Sequence, residues 1–564
     1  MPALVVPGVR VEARFDVLPP LPAPSGILGA VGIVDRPPAA GDLVGVTKTG
    51  EIRDLLGPGT LGSMPEVAHA LANGTSEAVI SPVAGGRPAS VTLMNAQSEG
   101  VLLLRARSNG SAGNTLRAEV RTVTNANNDI IRVTLRLRRD NRLLETFADL
   151  QVAPGQPDDL FDAINRQSSY VVAVDPGFAN VRPRPGTYAF TEQTPQIQVL
   201  EPAPGTRALM TLRPADGAEL AGLSVRIDDG ANNTSEVRVF QGGLQEEFVG
   251  LVMDPDSDQY LPYTLAAQSR LVTFIPLSSR DQNRLPSATA QPVAFADGES
   301  PTVAQYQAAI DRLADDPRVD LVLVSIEPGR ANAEVRQIHQ ALVAHAVTMA
   351  ENAAPRIAFG SVTTAEGSNL DQIREHSALV RNRRFVLISP PGAEGAVAGL
   401  VGRLDPRESP TFKSVPLFGI GPARYRESEL NRLLGSTTNL LVVQERVGRG
   451  VVVLRGLDTS GDQISVTRVA DIAIREAKAI SENFVGQLNN MEARLALKQQ
   501  IVATFTRMER EGALVPSTDG KDPAFTVDVY STQQDFAQGI VRIDIAIRPV
   551  RAIDYIYATI RVKN

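Results

Sequence analysis

The 564-residue chain contains no cysteine and no tryptophan, and only six of its 56 basic residues are lysine. Without cysteine, disulfides and thiolate metal sites are excluded. Of the four histidines, His69, His339, His345 and His376, two stand six apart on a predicted helix. That spacing puts His339 and His345 on opposite faces, unlike a metal-binding pair at i, i+4. No run of about 18 apolar residues occurs, so no segment reads as a membrane-spanning helix. A basic surplus is also missing: the net charge is −7, which argues against a general nucleic-acid binder. Scarce lysine beside abundant Ala, Gly and Pro reads more simply as a GC-rich coding sequence than as a demand for bidentate arginine. The first eight residues lack the basic start and apolar core of a signal peptide, so the chain is expected to be made and kept in the cytoplasm until something larger uses it.

What is present is a folded-protein composition, 43% hydrophobic and 21% charged. Its length implies two to four domains. Residues 1–25 read as an arm, in which Val5, Val6, Val9 and Val11 lie in an extended stretch and the stiff segment 18–24 (LPPLPAP) leads away from any sheet interior. Residues 26–85 read as α/β core, with a buried strand at 27–34, helices at 49–57 and 64–73, and a strand at 78–80. From 86 to 273 the sequence turns polar and β-rich, and it repeats. Glu145, Phe147, Leu150, Pro154, Leu160, Gln167, Ser168 and Val171 return 101 positions later as Glu246, Phe248, Leu251, Pro255, Leu261, Gln268, Ser269 and Val272. Two related modules, about 86–180 and 200–273, joined by the Pro-rich stretch 183–204, are therefore expected as an insertion.

Residues 274–460 alternate strands (320–325, 356–360, 384–389) with helices (333–350, 370–380), the signature of a parallel sheet covered by helices. A C-terminal domain, 461–552, opens on two helices between Ser465 and Glu511, separated at Asn489-Asn490. Val469, Ile472, Ala473, Glu476 and Ile480 share one face of the first; Leu495, Ile501, Val502, Phe505 and Met508 share one face of the second. Their exposed faces are expected to carry Arg475, Lys478, Arg494 and Lys498 with Glu476, Glu482 and Glu492. After a loop, two strands close the chain, 539–550 and 553–562, the last belonging to an arm at 553–564. An apolar strand ending within two residues of the terminus needs a backbone partner.

No catalytic constellation assembles. Gly448-Arg449-Gly450 lacks the third glycine of a dinucleotide fingerprint and precedes a strand, so it reads as a hairpin turn; a GxxxxGK phosphate loop is missing. Ser325 and Ser389 end parallel strands, where a hydrolase can hold its nucleophile, but neither lies in a GxSxG elbow. Asp254-Pro255-Asp256-Ser257-Asp258 lacks the glycine and closing glutamate of a calcium loop and reads as a solvated turn. No catalytic, cofactor-binding or metal residues are expected.

Several segments, in order, resemble the tail sheath proteins of contractile phage tails and related particles. They are Pro7–Glu12 (PGVRVE), the block from Ile52 through Asn73-Gly74 to Ile80, Ser108–Arg117 (SNGSAGNTLR, with the family's tryptophan replaced), Ala396–Asp405 (AVAGLVGRLD), Thr438–Val442, Arg510–Leu514 (REGAL) and Gly539–Ala552. The resemblance implies an α/β, multidomain tail-sheath-like core of mixed sheet and helices, a β-rich insertion of two repeated modules, and extended N- and C-terminal arms. It implies a structural subunit without cofactor that polymerises helically, in stacked hexameric rings, around an inner tail tube protein and contracts to drive that tube through a target envelope. Baseplate and tail terminator proteins would be further partners, with no nucleic acid and no membrane insertion, in a virion assembled in the host cytoplasm. In the family, arms from neighbouring subunits add strands to a sheet of the next subunit, a heterologous contact that builds open helices. That role falls here to Val5, Val6, Val9, Val11, Tyr555, Ile556, Tyr557, Ile560 and Val562. Arg475, Lys478, Glu482, Arg494 and Lys498 become candidate tube contacts. The alternatives are a hydrolase on a subtilase-like α/β core, or a non-contractile baseplate or carbohydrate-binding tail protein.

Overall fold

A computed structural model describes residues 26–554 except 39–41, 140–141, 154–155, 177–183, 185, 190–193, 207, 216–217 and 277–287. Two compact units form: Ser25–Thr467 with the residues from Ala552 on, and a second whose described part is Arg468–Arg551.

The larger unit is built on eight strands in the order Val44–Val46, Glu77–Pro82, Ile27–Gly32, Leu321–Val324, Ile357–Ser361, Phe385–Ser389, Leu441–Arg446 and Gly450–Val453. The six inner strands run parallel, and the strand at each edge is antiparallel. Ile27–Gly32, Leu321–Val324 and Phe385–Ser389 are buried at every position. Being covered on both faces, they show unbroken apolar runs instead of alternation. Helices Val303–Arg312, Asn332–Glu351 and Leu370–Leu379 pack on one face. Helices Pro65–Asn73 and Glu394–Arg403 pack on the other.

The last two helices touch backbone to backbone. A Cβ on Gly395 would lie 2.0 Å from the Glu66 carbonyl oxygen, and one on Gly399 would lie 2.3 Å from that of Ala70. Neither contact relaxes by turning a side chain, so Gly399→Ala is expected to cost about 3 kcal/mol. A urea midpoint within about 0.5 kcal/mol of wild type would contradict this packing.

The 101-residue recurrence is a recurrence of contacts. Ser168 Oγ donates to Glu145 Oε2 at 2.7 Å and Ser269 Oγ to Glu246 Oε2 at 2.6 Å. The next backbone amide, of Ser169 or Arg270, reaches the other carboxylate oxygen at 2.9 or 2.8 Å. Each glutamate thus ties a strand to the end of a following helix, Leu160–Gln167 or Leu261–Gln268. Around these lie a three-stranded sheet (Ser90–Met94, Gly100–Ala106 and Val171–Val174; then Ile197–Leu200, Ala208–Pro214 and Val272–Pro276) and a meander (Leu116–Thr124, Ile130–Arg139 and Arg142–Leu150; then Ser224–Asp229, Ser235–Gln241 and Leu244–Leu251).

Each meander also takes a strand from outside the expected bounds. Val293–Ala294 pairs with Leu116–Thr124 although it lies beyond residue 273. Gly186–Ala189 pairs with Ser224–Asp229 from within the Pro-rich connection. Strands of two and four residues are too short to carry a period of their own.

Candidate assembly surface

Within Arg468–Arg551 the helix Ile464–Glu482 packs on the helix Met491–Arg510. Val469, Ala473, Ile480, Leu497, Ile501, Phe505 and Met508 form the seam. Asn490 caps the second helix, its Oδ1 accepting from Ala493 N at 2.8 Å. Two expectations change. Leu495 is 53% exposed, and Leu497 takes the core place. Glu476 is buried and holds Arg507 at 2.9 Å, tying the two helices together. A helical period defines a stripe; which shoulder of it is covered depends on the crossing.

The stretch after Leu514, expected as a loop, contains the strand Phe525–Tyr530 and the short helix Gln533–Ala537, before the strand Arg542–Ile547. The two strands are antiparallel, with Phe525 opposite Ile547, Val527 opposite Ile545 and Val529 opposite Ile543. These side chains share the face toward the helices, where Phe525 meets Phe505 edge-on with ring centroids 5.6 Å apart. The other face sets Asp528 directly opposite Asp544. Lys498 relieves that like-charge pair through Asp528 Oδ1 at 3.2 Å.

The register also determines where the backbone points. Arg548 N donates to Ala524 O at 2.9 Å. In an antiparallel ladder the hydrogen-bonded pairs then fall at 526/546, 528/544 and 530/542. The N–H and C=O groups of Val527, Val529, Ile543 and Ile545 therefore face outward, along the two edges. Among the described residues no third strand joins this sheet.

Of the five candidate tube contacts, Glu482 is exposed. Arg494 donates to Asn489 Oδ1 at 2.7 Å, and Lys498 is paired as above. Arg475 and Lys478 are half-buried, and each makes a polar contact of its own. The nine arm residues, Val5, Val6, Val9, Val11, Tyr555, Ile556, Tyr557, Ile560 and Val562, lie outside the described residues.

The first residues of the expected C-terminal arm, with Ala552 before them, are described and held in place. In the larger unit, Gln463 meets the backbone of Ala552 twice: Ala552 N donates to Oε1 at 2.8 Å, and Nε2 donates to Ala552 O at 3.0 Å. Arg455 holds Asp554 at 3.4 Å. Sequence reasoning missed Gln463, because a glutamine that mimics a strand partner has no spacing signature. Gln463→Leu removes both bonds at similar volume. Amide exchange at Ala552 is expected to speed about tenfold, consistent with roughly 1.4 kcal/mol lost; an unchanged rate there would contradict the clamp.

Buried polar groups at the parallel sheet bond to one another in ways that do not make a nucleophile. His376 joins Glu366 at 2.8 Å and His339 at 2.9 Å, and Glu366 pairs with Arg336 at 2.8 Å. Burial, then the neighbouring His376, holds His339 well below the usual imidazole range. His345 bonds Arg356 at 2.7 Å. Ser389 pairs with the Tyr425 hydroxyl at 2.8 Å, and Ser325 donates to Glu66, so both serines bond to groups other than an imidazole. Gly448 and Gly450 turn the expected hairpin with φ of 77° and 72°. Asp258 of the acidic turn pairs with Arg87 at 3.3 Å. Among the described residues no group of three metal-ligating side chains gathers.

Residues 458–563 match the family described as the phage tail sheath C-terminal domain. No curated protein matches the chain. Similar solved structures include a sheath tail protein of Desulfitobacterium hafniense (12% identity, 97% of each chain covered, TM-score 0.45). A second is the sheath tail protein Lin1278 of Listeria innocua (11% identity, 94% of this chain and 93% of that one, TM-score 0.44). A third is the contracted helical sheath of the anti-feeding prophage (16% identity, 52% and 78%, TM-score 0.35).

Proposed function

We propose, from the match of residues 458–563 to the phage tail sheath C-terminal domain, that the chain is the structural subunit of a contractile sheath, polymerising with its own copies around an inner tube. The observation that carries this reading is the two-stranded sheet of the matched domain, with outward-facing backbone on both edges. A sheet of two strands is marginal alone. Strands added from neighbouring subunits would complete it, and the arm segments around Val5–Val11 and Tyr555–Val562 have the extended, apolar character such strands need.

The Gln463–Ala552 clamp gives the C-terminal arm a fixed point of departure, so it can reach a neighbour without unravelling its own unit. Contraction then becomes a rigid-body rearrangement of a lattice whose strand links persist. It needs no nucleotide. Glu482, Arg494, Lys498, Arg475 and Lys478 remain the groups for the inner tube, with Glu482 the most available. Baseplate and terminator proteins would bound the assembly, which belongs to a phage tail or injection particle built in the host cytoplasm.

Electron microscopy of the purified chain tests the reading. Tubes or stacked rings are expected, and their loss on deleting residues 1–20 or 553–564 would support the arm links. A protein that stays monomeric at every concentration would overturn it.

A further inference from the structure

A cavity of about 490 Å³ in the larger unit is lined by six arginines: Arg36, Arg53, Arg107, Arg166, Arg213 and Arg270. In a chain of net charge −7 such a cluster runs against the overall balance. Helix ends explain part of it. The helix Leu160–Gln167 and the helix Thr49–Leu56 both finish at this cavity, with partial negative charge on their last carbonyls. Arg107 donates to Asn165 O at 2.7 Å and Ser168 O at 3.0 Å, and Arg270 donates to Leu55 O at 2.6 Å.

Carboxylates explain another part. Arg107 pairs with Asp35 at 3.3 Å, and Arg166 and Arg213 share Asp162. Asp54 lines the wall, and Glu246 lies near Arg36 while accepting from Ser269 and Arg270 N. Among the described residues, the six guanidiniums outnumber these carboxylates. The guanidinium of Arg36 feels the charges of Asp35 and Glu246, yet its Nε is buried and has no hydrogen-bond partner among the described residues. Arg53, across the cavity wall, is exposed at the mouth.

We propose that this cavity binds a small phosphorylated molecule, with Arg36 and Arg53 gripping the phosphoryl dianion. A dianion brings negative charge to this arginine-rich wall, and planar guanidiniums suit phosphate oxygens in pairs. The volume lies in the range of small-ligand sites and exceeds what one phosphate fills. The two β modules and the core each contribute to the wall, so a bound anion would brace the insertion against the sheet. The site is independent of the outward strand edges.

Calorimetry on the full-length chain, with inorganic phosphate and separately with pyrophosphate, tests the proposal at constant ionic strength. Pyrophosphate is expected to bind at one site per chain, more tightly than phosphate if the cavity takes a phosphoryl group on a larger molecule; equal affinities would identify free phosphate as the occupant. Arg36→Gln and, separately, the surface change Arg53→Gln are each expected to weaken binding about tenfold or more. Arg432→Gln, an exposed arginine on another helix, should leave it unchanged. Binding of neither anion at millimolar concentration would overturn the proposal, as would affinity unmoved by Arg53→Gln in a variant with a wild-type thermal transition.

Discussion

Ile545→Pro is expected to give a folded protein that no longer forms tubes, if the strand Arg542–Ile547 is the edge a neighbour occupies. The amide of Ile545 points away from Phe525–Tyr530, so proline removes no bond of the internal ladder. Its side chain is already 36% exposed, which limits the packing loss. What proline does remove is a donor to any added strand, and its ring crowds the approach. A six-residue strand forms about three bonds to such a partner, each contributing about 1 kcal/mol, so losing the contact weakens each subunit link by roughly a hundredfold. Repeated along a lattice, that suffices to dissolve it. Val527→Pro makes the same test on the opposite edge. Wild-type tube yield from both variants, in micrographs of protein with a native thermal transition, would remove the hairpin from the assembly.

Glu66→Gln is expected to stabilise the protein at pH 9 and to change it little at pH 5. Burial, then the facing Glu394, pushes the Glu66 carboxyl up to about 8, and burial raises Glu394 as well. Both sit where the helices Pro65–Asn73 and Glu394–Arg403 touch, with Ser325 donating to Glu66. A raised folded value means the native state holds the proton more tightly than the unfolded chain. The stabilisation is therefore complete below about 4.5 and is lost as pH rises through about 8. For Glu66 the whole span is on the order of 4–5 kcal/mol. Glutamine stays neutral at every pH and escapes that loss. Chemical unfolding of both proteins at pH 5, 7 and 9 reads the difference; a gap that stays constant across the three would mean that the carboxyl ionises normally.

Much of the architecture is legible from periodicity. The helix Asn332–Glu351 and the parallel strands around it lie within two residues of their expected limits, because strands buried on both faces and a long helix carry strong patterns. The helix pair and its break at Asn489-Asn490 are equally plain, since an asparagine cap is a local signal. The strand Phe525–Tyr530 was hidden: two of its six residues are exposed and none is fully buried, and its surroundings are polar turn residues. Leu495 and Leu497 exchanged places for a different reason, since burial on a helix shoulder is determined by what crosses it.

The C-terminal strand poses the same division. Its apolar alternation and the 101-residue repeat follow from the sequence alone, because side-chain period and local propensity act between near neighbours. The sequence by itself also determined that Glu145 and Glu246 recur with their serines. Only the tertiary structure decided that Arg542–Ile547 pairs within its own unit, that its other edge faces outward, that Gln463 grips Ala552, and that six arginines distant in the chain share one cavity. Those outcomes depend on register and on contacts across tens to hundreds of residues, where no local preference selects the partner.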